Sequence, residues 1–192
     1  TCTVTIKDKA WLTRTCTSAS ATKLDKTAPT WSIKINNDAA YVTGASVTLN
    51  LSASDNLCGV SKMRFSCNNS TWSSWENYAT SKSWTFGTSY GCNANDGTKR
   101  VYVQYQDAAW NTSTSYYDDI VKDTVAPVCW SWSYNPAIDV CTNSNITATL
   151  ANSTDATSWI QTAWWSCTIS AYNTTCTVTI KDKAWLTRTC TS

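Results

Sequence analysis

The sequence of 192 residues predicts an all-β protein made of tandem β-sandwich modules. Segments 46–53, 100–106 and 177–181 alternate apolar and polar residues with a period of two, which is typical of strands that bury one face. No window has the i, i+3, i+4, i+7 spacing of an amphipathic helix, and β-branched and aromatic residues dominate the strand-like runs. The chain also contains two internal repeats, which indicate tandem modules.

The first repeat is an unchanged copy of 18 residues. Residues 1–18, TCTVTIKDKAWLTRTCTS, recur as residues 175–192, an offset of 174 (175 minus 1). An unchanged copy of this length indicates a tandem array with that period. We therefore expect residues 1–18 to be the last hairpin of the preceding repeat, with residues 19–24 as a linker.

The second repeat marks the module boundaries. The sequence DKTAPT at 25–30 matches DTVAPV at 123–128, an offset of 98 (123 minus 25). The residue before a proline favours an extended backbone, so each match is typical of a linker that enters a first strand. We predict one sandwich over residues 25–122 and a second over residues 123–192, which ends with the hairpin identical to 1–18.

The turn of this hairpin recurs in each module. DAAWNT at 107–112 and DKAWLT at 182–187 each follow a strand-like segment and precede one rich in Thr or Ser. The copy of the second turn lies at 8–13. All three are predicted to be the same hairpin turn.

Three stretches carry a family resemblance. They are the D-x-x-A-P junctions, MRFSCNNSTWSSWENYAT at 63–80 and DGTKRVYVQYQDAAWN at 96–111. In these the chain resembles the bacterial immunoglobulin-like (Ig-like) repeats of large secreted and cell-surface proteins, closely over 25–123 and more weakly over 123–192. The resemblance implies tandem Ig-like Greek-key sandwiches used as a stalk, adhesin or fibre.

The hairpin turns depart from that family. It usually has glycine where Trp11, Trp110 and Trp185 stand, because the turn favours φ > 0. A bulky residue is strained at such a position. Either the turns are remodelled, or some residue identities at these positions differ from the printed sequence.

Ten cysteines without a histidine indicate disulfides, and hence an extracellular or cell-surface protein. Cys67 and Cys92 are expected at the same end of a sandwich, and Cys167 and Cys176 bracket a short segment; these are the two favoured pairs. Cys2 and Cys16 are each predicted to form a disulfide with a cysteine of the preceding unit. The partners of four cysteines stay open: Cys58, Cys129, Cys141 and Cys190.

Composition excludes several functions. Without histidine there is no Ser-His-Asp triad, no Cys-His pair and no His-ligated metal. One Glu and twelve scattered Asp do not form the carboxylate pair of a glycosidase, so we expect no enzyme activity and no cofactor. A net charge of +2 with scattered Lys and Arg argues against a nucleic-acid partner, and short apolar runs argue against membrane insertion.

Tryptophan is the strongest compositional signal, with twelve residues against two phenylalanines. Trp can replace Phe in the cores and between modules, or it can form stacking platforms for sugar rings. Trp130 and Trp132 are expected to share one face of a first strand, whereas Trp164 and Trp165 are expected on opposite faces. The candidates for a ligand or interface are Trp72, Trp75, Trp130, Trp132, Trp164 and Trp165.

Two further sets of residues are candidate sites. Asp25, Asp55 and Asp107 are expected at one end of the first sandwich, where they would bind Ca²⁺ or accept hydrogen bonds from turn amides. Candidate glycosylation sites, in N-x-S/T sequons, are Asn50, Asn68, Asn69, Asn111, Asn145, Asn152 and Asn173.

Together these observations predict a structural, non-enzymatic protein. The chain is expected to be the repeat unit of an extracellular filament, stalk or surface fibre, with copies of itself as head-to-tail partners. The alternative is an adhesin or carbohydrate-binding module whose exposed Trp faces recognise surface glycans. An exposed aromatic row flanked by Asn, Asp or Gln would favour this alternative, and burial of the same Trp between modules would favour the filament.

Overall fold

The regular elements of the structure, a computed structural model, are all β-strands. It describes residues 3–17, 23–136, 144–151, 153–161, 165–171 and 175–192. Within these residues there is no helix long and apolar enough to cross a membrane. The predicted strand segments 46–53, 100–106 and 177–181 all lie in observed strands.

The first module contains two sheets that pack face to face. One sheet has the strand order β3-β5-β8: β3 (Thr30–Ile35), β5 (Ser46–Ser54) and β8 (Ser81–Thr85). The other has the order β4-β10-β9-β6-β7: β4 (Tyr41–Val42), β10 (Tyr116–Lys122), β9 (Gly97–Asp107), β6 (Val60–Ser66) and β7 (Glu76–Asn77). Successive strands change sheet except from β6 to β7 and from β9 to β10, and β4 runs parallel to β10. The predicted Ig-like sandwich is confirmed.

The core of the first module follows from the period-two pattern. Along β9, Val101, Val103 and Tyr105 are fully buried, whereas the residues between them are half-buried. The opposite sheet supplies alternate residues of β5 in the same way. Both inner faces are therefore apolar, and the core includes Ile33, Ile35, Val47, Leu49, Leu51, Met63, Phe65, Trp84, Phe86 and Ile120.

In its described residues, the second module has a three-stranded and a two-stranded sheet. The first is β11 (Ser131–Asn135), β12 (Ile146–Ala151) and β13 (Trp165–Ile169), in that order. The second is the C-terminal hairpin of β14 (Thr177–Lys181) and β15 (Thr187–Thr191). Among the described residues the buried apolar cluster is small: Leu150, Ile180 and Cys190, with Cys129, Trp132, Ile160 and Val178 packed against it.

The N-terminal hairpin, β1 (Thr3–Lys7) and β2 (Thr13–Thr17), forms a two-stranded sheet by itself. Its register pairs Thr3 with Thr17, as the C-terminal hairpin pairs Thr177 with Thr191. Every described residue of this hairpin is exposed. The identical sequence therefore gives the same strand pairing in both places.

One expectation about the strands was wrong. Trp130 precedes β11, which begins at Ser131, so Trp130 and Trp132 do not share a strand face. Trp130 is 68% exposed, whereas Trp132 packs against the core of the second module. Trp130 follows Cys129, whose disulfide to Cys190 holds the chain before the strand begins.

Candidate functional site

The two copies of the hairpin have different surroundings. Ile180 is fully buried and Val178 packs against the core of the second module. The corresponding residues Ile6 and Val4 are 57% and 53% exposed. The N-terminal hairpin thus exposes an apolar face. In the C-terminal copy, the second module covers the same face.

The second module holds the C-terminal hairpin through one surface. We call it the hairpin-binding surface; its apolar part is Cys129, Trp132, Leu150 and Ile160. Backbone hydrogen bonds reinforce the contact: Gln161 N–H donates to the Lys181 carbonyl at 2.9 Å, and Lys183 N–H donates to the Trp159 carbonyl at 3.0 Å.

Two disulfides fix the C-terminal hairpin to the second module. Cys190 is bonded to Cys129, with Cα atoms 5.8 Å apart, and Cys176 is bonded to Cys167, with Cα atoms 6.0 Å apart. The bond between Cys167 and Cys176 is one of the two favoured pairs. The bond between Cys129 and Cys190 joins two cysteines that sequence reasoning left unassigned. Cys129 and Cys190 are 61 residues apart in the sequence, so spacing gave no signal for this bond.

The corresponding cysteines of the N-terminal hairpin are Cys2 and Cys16. Cys16 occupies the place of Cys190, is exposed and has no disulfide partner in the described residues. Cys2 lies outside the described residues, so the structure does not show its state. The predicted pairing of both with the preceding unit stays a prediction.

The remaining cysteines belong to the first module or to undescribed residues. Cys67 and Cys92, the other favoured pair, form a disulfide with Cα atoms 4.9 Å apart. Cys58 is half-buried and has no disulfide partner among the described residues. Burial, with further contributions from Asp25 and nearby carboxylates, raises the pKa of its thiol. Cys141 lies outside the described residues.

The hairpin turns have the left-handed geometry that the sequence resemblance associates with glycine. Trp11, Trp110 and Trp185 have φ angles of 66°, 69° and 71°. In each turn this Trp N–H donates to the Asp carbonyl three residues earlier, at 3.1 to 3.3 Å. The turns are therefore not remodelled at these positions.

The Trp side chains of these turns project outward. Trp11 and Trp185 are 76% and 69% exposed, so neither ring meets a steric obstacle in the turn. Lys7 Nζ lies 3.4 Å from the centroid of the Trp11 ring, and Lys181 Nζ lies 3.2 Å from that of Trp185. These cation–π contacts offset part of the strain of a left-handed backbone.

The three candidate aspartates of the first module come together. Asp25, Asp55 and Asp107, the first-module cluster, each offer one oxygen, and these oxygens lie within 4.8 Å of one another. Most of their oxygens accept hydrogen bonds from loop groups, as the turn-capping interpretation expects. Asn111 Nδ2 donates to Asp107 Oδ2 at 2.8 Å and to the Asp25 carbonyl at 3.2 Å.

A corresponding cluster in the second module was missed by sequence reasoning. Asp123, Asp155 and Asp182, the second-module cluster, also bring three oxygens within 4.8 Å. Its signal was present in part, because the junction match aligns Asp25 with Asp123 and the turn match aligns Asp107 with Asp182. Asp155 follows β12 in the loop that corresponds to the Asp55 loop after β5.

Two of the candidate tryptophans enclose an arginine on the first module. The Arg64 guanidinium carbon lies 4.9 Å from the Trp72 ring centroid and 4.6 Å from that of Trp75. Arg64 also donates two hydrogen bonds to Gln104 Oε1, at 2.8 and 2.6 Å. The two rings are half-buried and already contact a cation.

The other tryptophan candidates lie in the second module. Trp165 begins β13 and is paired in register with Leu150. Trp164 lies outside the described residues, so the expected opposite facing of this pair is not observed directly.

The sequons differ in accessibility. Asn68, Asn69 and Asn145 are exposed, whereas Asn50 and Asn111 are half-buried. The Asn111 amide already donates within the first-module cluster, so a glycan there would remove these hydrogen bonds. Asn152 and Asn173 lie outside the described residues.

Comparison with known proteins gives few relatives. No protein-family model matches the chain, and no curated protein matches it significantly. Among solved structures, the chain is similar to one described as "Structures of Clostridium thermocellum CbhA fibronectin(III)-like modules". The TM-score is 0.46 at 12% sequence identity, over 83% of this chain and 91% of that chain.

Proposed function

We propose that this chain is a structural repeat unit of an extracellular filament or stalk built from tandem Ig-like modules. In this array, residues 1–18 occupy in the preceding unit the place that residues 175–192 occupy in this one. One observation carries the proposal. The repeated sequence is packed on a sandwich over residues 175–192, whereas its described copy over residues 3–17 is exposed.

The exposed hairpin has an apolar face and a cysteine that a sandwich module could cover and bind. A two-stranded ribbon is marginally stable in water, because it cannot bury its own apolar face. Val4 and Ile6 would be covered by a hairpin-binding surface such as the one that covers Val178 and Ile180. Cys16 would then meet the preceding unit's counterpart of Cys129, the residue that bonds to Cys190 here.

A filament follows from the symmetry of this contact. The hairpin and the surface that receives it are different parts of the unit, so the contact is head-to-tail. Such a contact, repeated by one rotation and translation that does not close, generates an open fibre. Disulfides in both modules suit an oxidising, extracellular environment.

Small-angle X-ray scattering of proteins with one, two and three consecutive repeat units tests the proposal. Each added unit would repeat residues 19–192 after the preceding C-terminal hairpin. We expect the maximum dimension to grow by a constant increment, as in a rod of identically related units. Growth that falls toward the square root of the unit number would indicate flexible beads and contradict the proposal.

A second candidate function is an adhesin that binds glycans through the first module. The observation in its favour is the half-exposed row on the outer face of the five-stranded sheet, where Trp72 and Trp75 flank Arg64 beside Gln104. Tyr102 and Tyr117 continue the row, with ring centroids 5.3 Å apart. Stacking on sugar rings would need the ring faces that Arg64 leaves free.

Glycan-array binding with the full chain tests this candidate. Binding that is lost in Trp75→Ala and kept in Trp130→Ala would support an adhesin face on the first module. Trp130 is the matched control, because it is exposed but belongs to the second module. Absence of binding to any glycan would remove this candidate.

A further inference from the structure

We propose that the second-module cluster of Asp123, Asp155 and Asp182 is a Ca²⁺ site that joins the C-terminal hairpin to its module. The three carboxylates come from the junction, the loop after β12 and the turn between β14 and β15. Each offers an oxygen within 4.8 Å of the other two. A cation bound there would therefore link three separate segments of the module.

Two buried oxygens in the cluster lack hydrogen-bond partners. Asp123 and Asp182 are both 0% exposed. Their Oδ1 atoms accept hydrogen bonds from the backbone, from Val125 N–H at 3.1 Å and from Leu186 N–H at 2.9 Å. Their Oδ2 atoms are buried without a partner in the part of the chain that the structure describes. Burying a charged oxygen without a hydrogen-bond partner costs free energy, so these two oxygens indicate a site for a cation.

The first-module cluster shows what the second lacks. Asp107 Oδ2 accepts a hydrogen bond from Asn111 Nδ2 at 2.8 Å, and Asp25 Oδ2 accepts one from Cys58 N–H at 3.2 Å. In the second turn, Leu186 stands where Asn111 stands in the first, and its side chain has no donor. The first cluster keeps one unpartnered buried oxygen, on the half-buried Asp55.

The charges of the second-module cluster are not balanced by basic side chains. None of the ion pairs between described residues involves its three aspartates. Burial raises the pKa of Asp182; the Leu186 amide opposes this, and the charges of Asp123 and Asp155 add to it. A bound cation would remove this repulsion while all three carboxylates stay ionised.

The donor set selects the kind of cation. Carboxylate oxygens without histidine or thiolate favour a hard ion, and Ca²⁺ accepts irregular oxygen coordination better than Mg²⁺ does. Extracellular modules bind Ca²⁺ with Kd on the order of 10⁻⁴ to 10⁻³ M. In the array, Asp8 would take the place of Asp182 in the preceding unit's cluster; this extension rests on the proposed function, whereas binding at Asp182 does not.

Calorimetric titration of the full chain with CaCl₂, after treatment with a chelator, tests the proposal. We expect one saturable site per chain, and 10 mM Ca²⁺ should raise the unfolding temperature of the second module by at least about 6 °C. MgCl₂ should bind at least about ten-fold more weakly. Asp182→Asn should abolish the response, and Asp107→Asn in the first-module cluster is the matched control that should keep it.

A second variant keeps the test decisive. Leu186→Asn gives the second turn the amide of the first, and it should weaken Ca²⁺ binding at least about ten-fold without removing a carboxylate. The proposal is overturned if Ca²⁺ has no effect on the parent chain, if Asp182→Asn retains binding, or if Asp107→Asn loses it equally.

Discussion

The N-terminal and C-terminal hairpins have one sequence and two environments. Both have the same strand register and the same turn, in which a Trp has a left-handed backbone conformation and a lysine ammonium lies over its ring. Only the C-terminal copy is covered: Ile180 is 0% exposed, whereas Ile6 is 57% exposed. The strand pairing and the turn are therefore encoded locally, and the burial is supplied by the sandwich beside the hairpin.

The largest difference between the copies should appear at the cysteines. Cys190→Ala removes the disulfide to Cys129 and should destabilise the second module by about 2 to 5 kcal/mol. Cys16→Ala changes the corresponding exposed residue and should leave the stability within about 0.5 kcal/mol. Denaturant unfolding under non-reducing conditions, followed by hydrogen exchange of β12 and β14, measures both. Equal effects would show that the two hairpins are not differently anchored.

A charged pair in the first module provides a reference that should affect neither hairpin. Burial works against ionisation of Asp96, but hydrogen bonds from Lys122 and Thr124 outweigh it and lower its pKa to about 2. The stabilisation is therefore present above pH about 4 and is lost as the pH falls toward 2. Asp96→Asn should cost about 1 to 2 kcal/mol at pH 7 and flatten this part of the pH profile.

Hydrogen exchange resolves the location of this effect. Faster exchange in β9 and β10 with unchanged exchange in β14 and β15 is the expected pattern. A profile as steep as that of the parent chain between pH 4 and pH 2 would contradict the role of Asp96.

A smaller contrast is expected in the apolar faces. Ile180→Val deletes one methylene from a fully buried position and should cost about 1 kcal/mol. Ile6→Val makes the same change on the exposed copy and should cost less than about 0.3 kcal/mol. Denaturant unfolding of the two variants side by side measures the difference. A cost for Ile6→Val that matches that for Ile180→Val would mean that the N-terminal hairpin is already covered in the isolated chain.

The smallest effect should come from the turns. Trp185→Gly relieves a left-handed backbone but removes the contact with Lys181, so a net stabilisation of about 0.5 kcal/mol is expected. Trp11→Gly makes the same local change in a hairpin without a module, and thermal unfolding should show no shift in the second module. Destabilisation by Trp185→Gly would show that the ring contributes more than the backbone strain costs.

The sequence predicted what depends on local pattern. Period-two alternation located β5, β9 and β14, whereas the module boundaries taken from the junction matches stay a prediction. The bond between Cys129 and Cys190 could not be predicted, because it spans 61 residues and depends on non-local packing. The sequence did not predict the left-handed backbone of Trp110 and Trp185, because bulky residues are usually strained in that conformation.

The second-module cluster shows a different limit. Its aspartates come from three loops, and repeats in the sequence matched only the junction and the turn. Asp155 lies in a loop whose residues differ from those after Asp55, so the sequence gave little reason to align them. Its relation to the other two aspartates became visible only when the strands placed the loops together.

Residues 1–18 of one unit should be able to take the place of residues 175–192 in the preceding unit. A chain that ends at residue 174 exposes its hairpin-binding surface, and the N-terminal hairpin of another copy should fill it. Under oxidising conditions, non-reducing electrophoresis should show a ladder of multimers, and peptide mapping should link Cys16 of one copy to Cys129 of the preceding copy. The same chain carrying both Cys2→Ala and Cys16→Ala should lose the ladder, because Cys2 corresponds to Cys176 and could otherwise bond to Cys167. A truncated chain that stays monomeric, with Cys16 free or bonded within its own chain, would contradict the account.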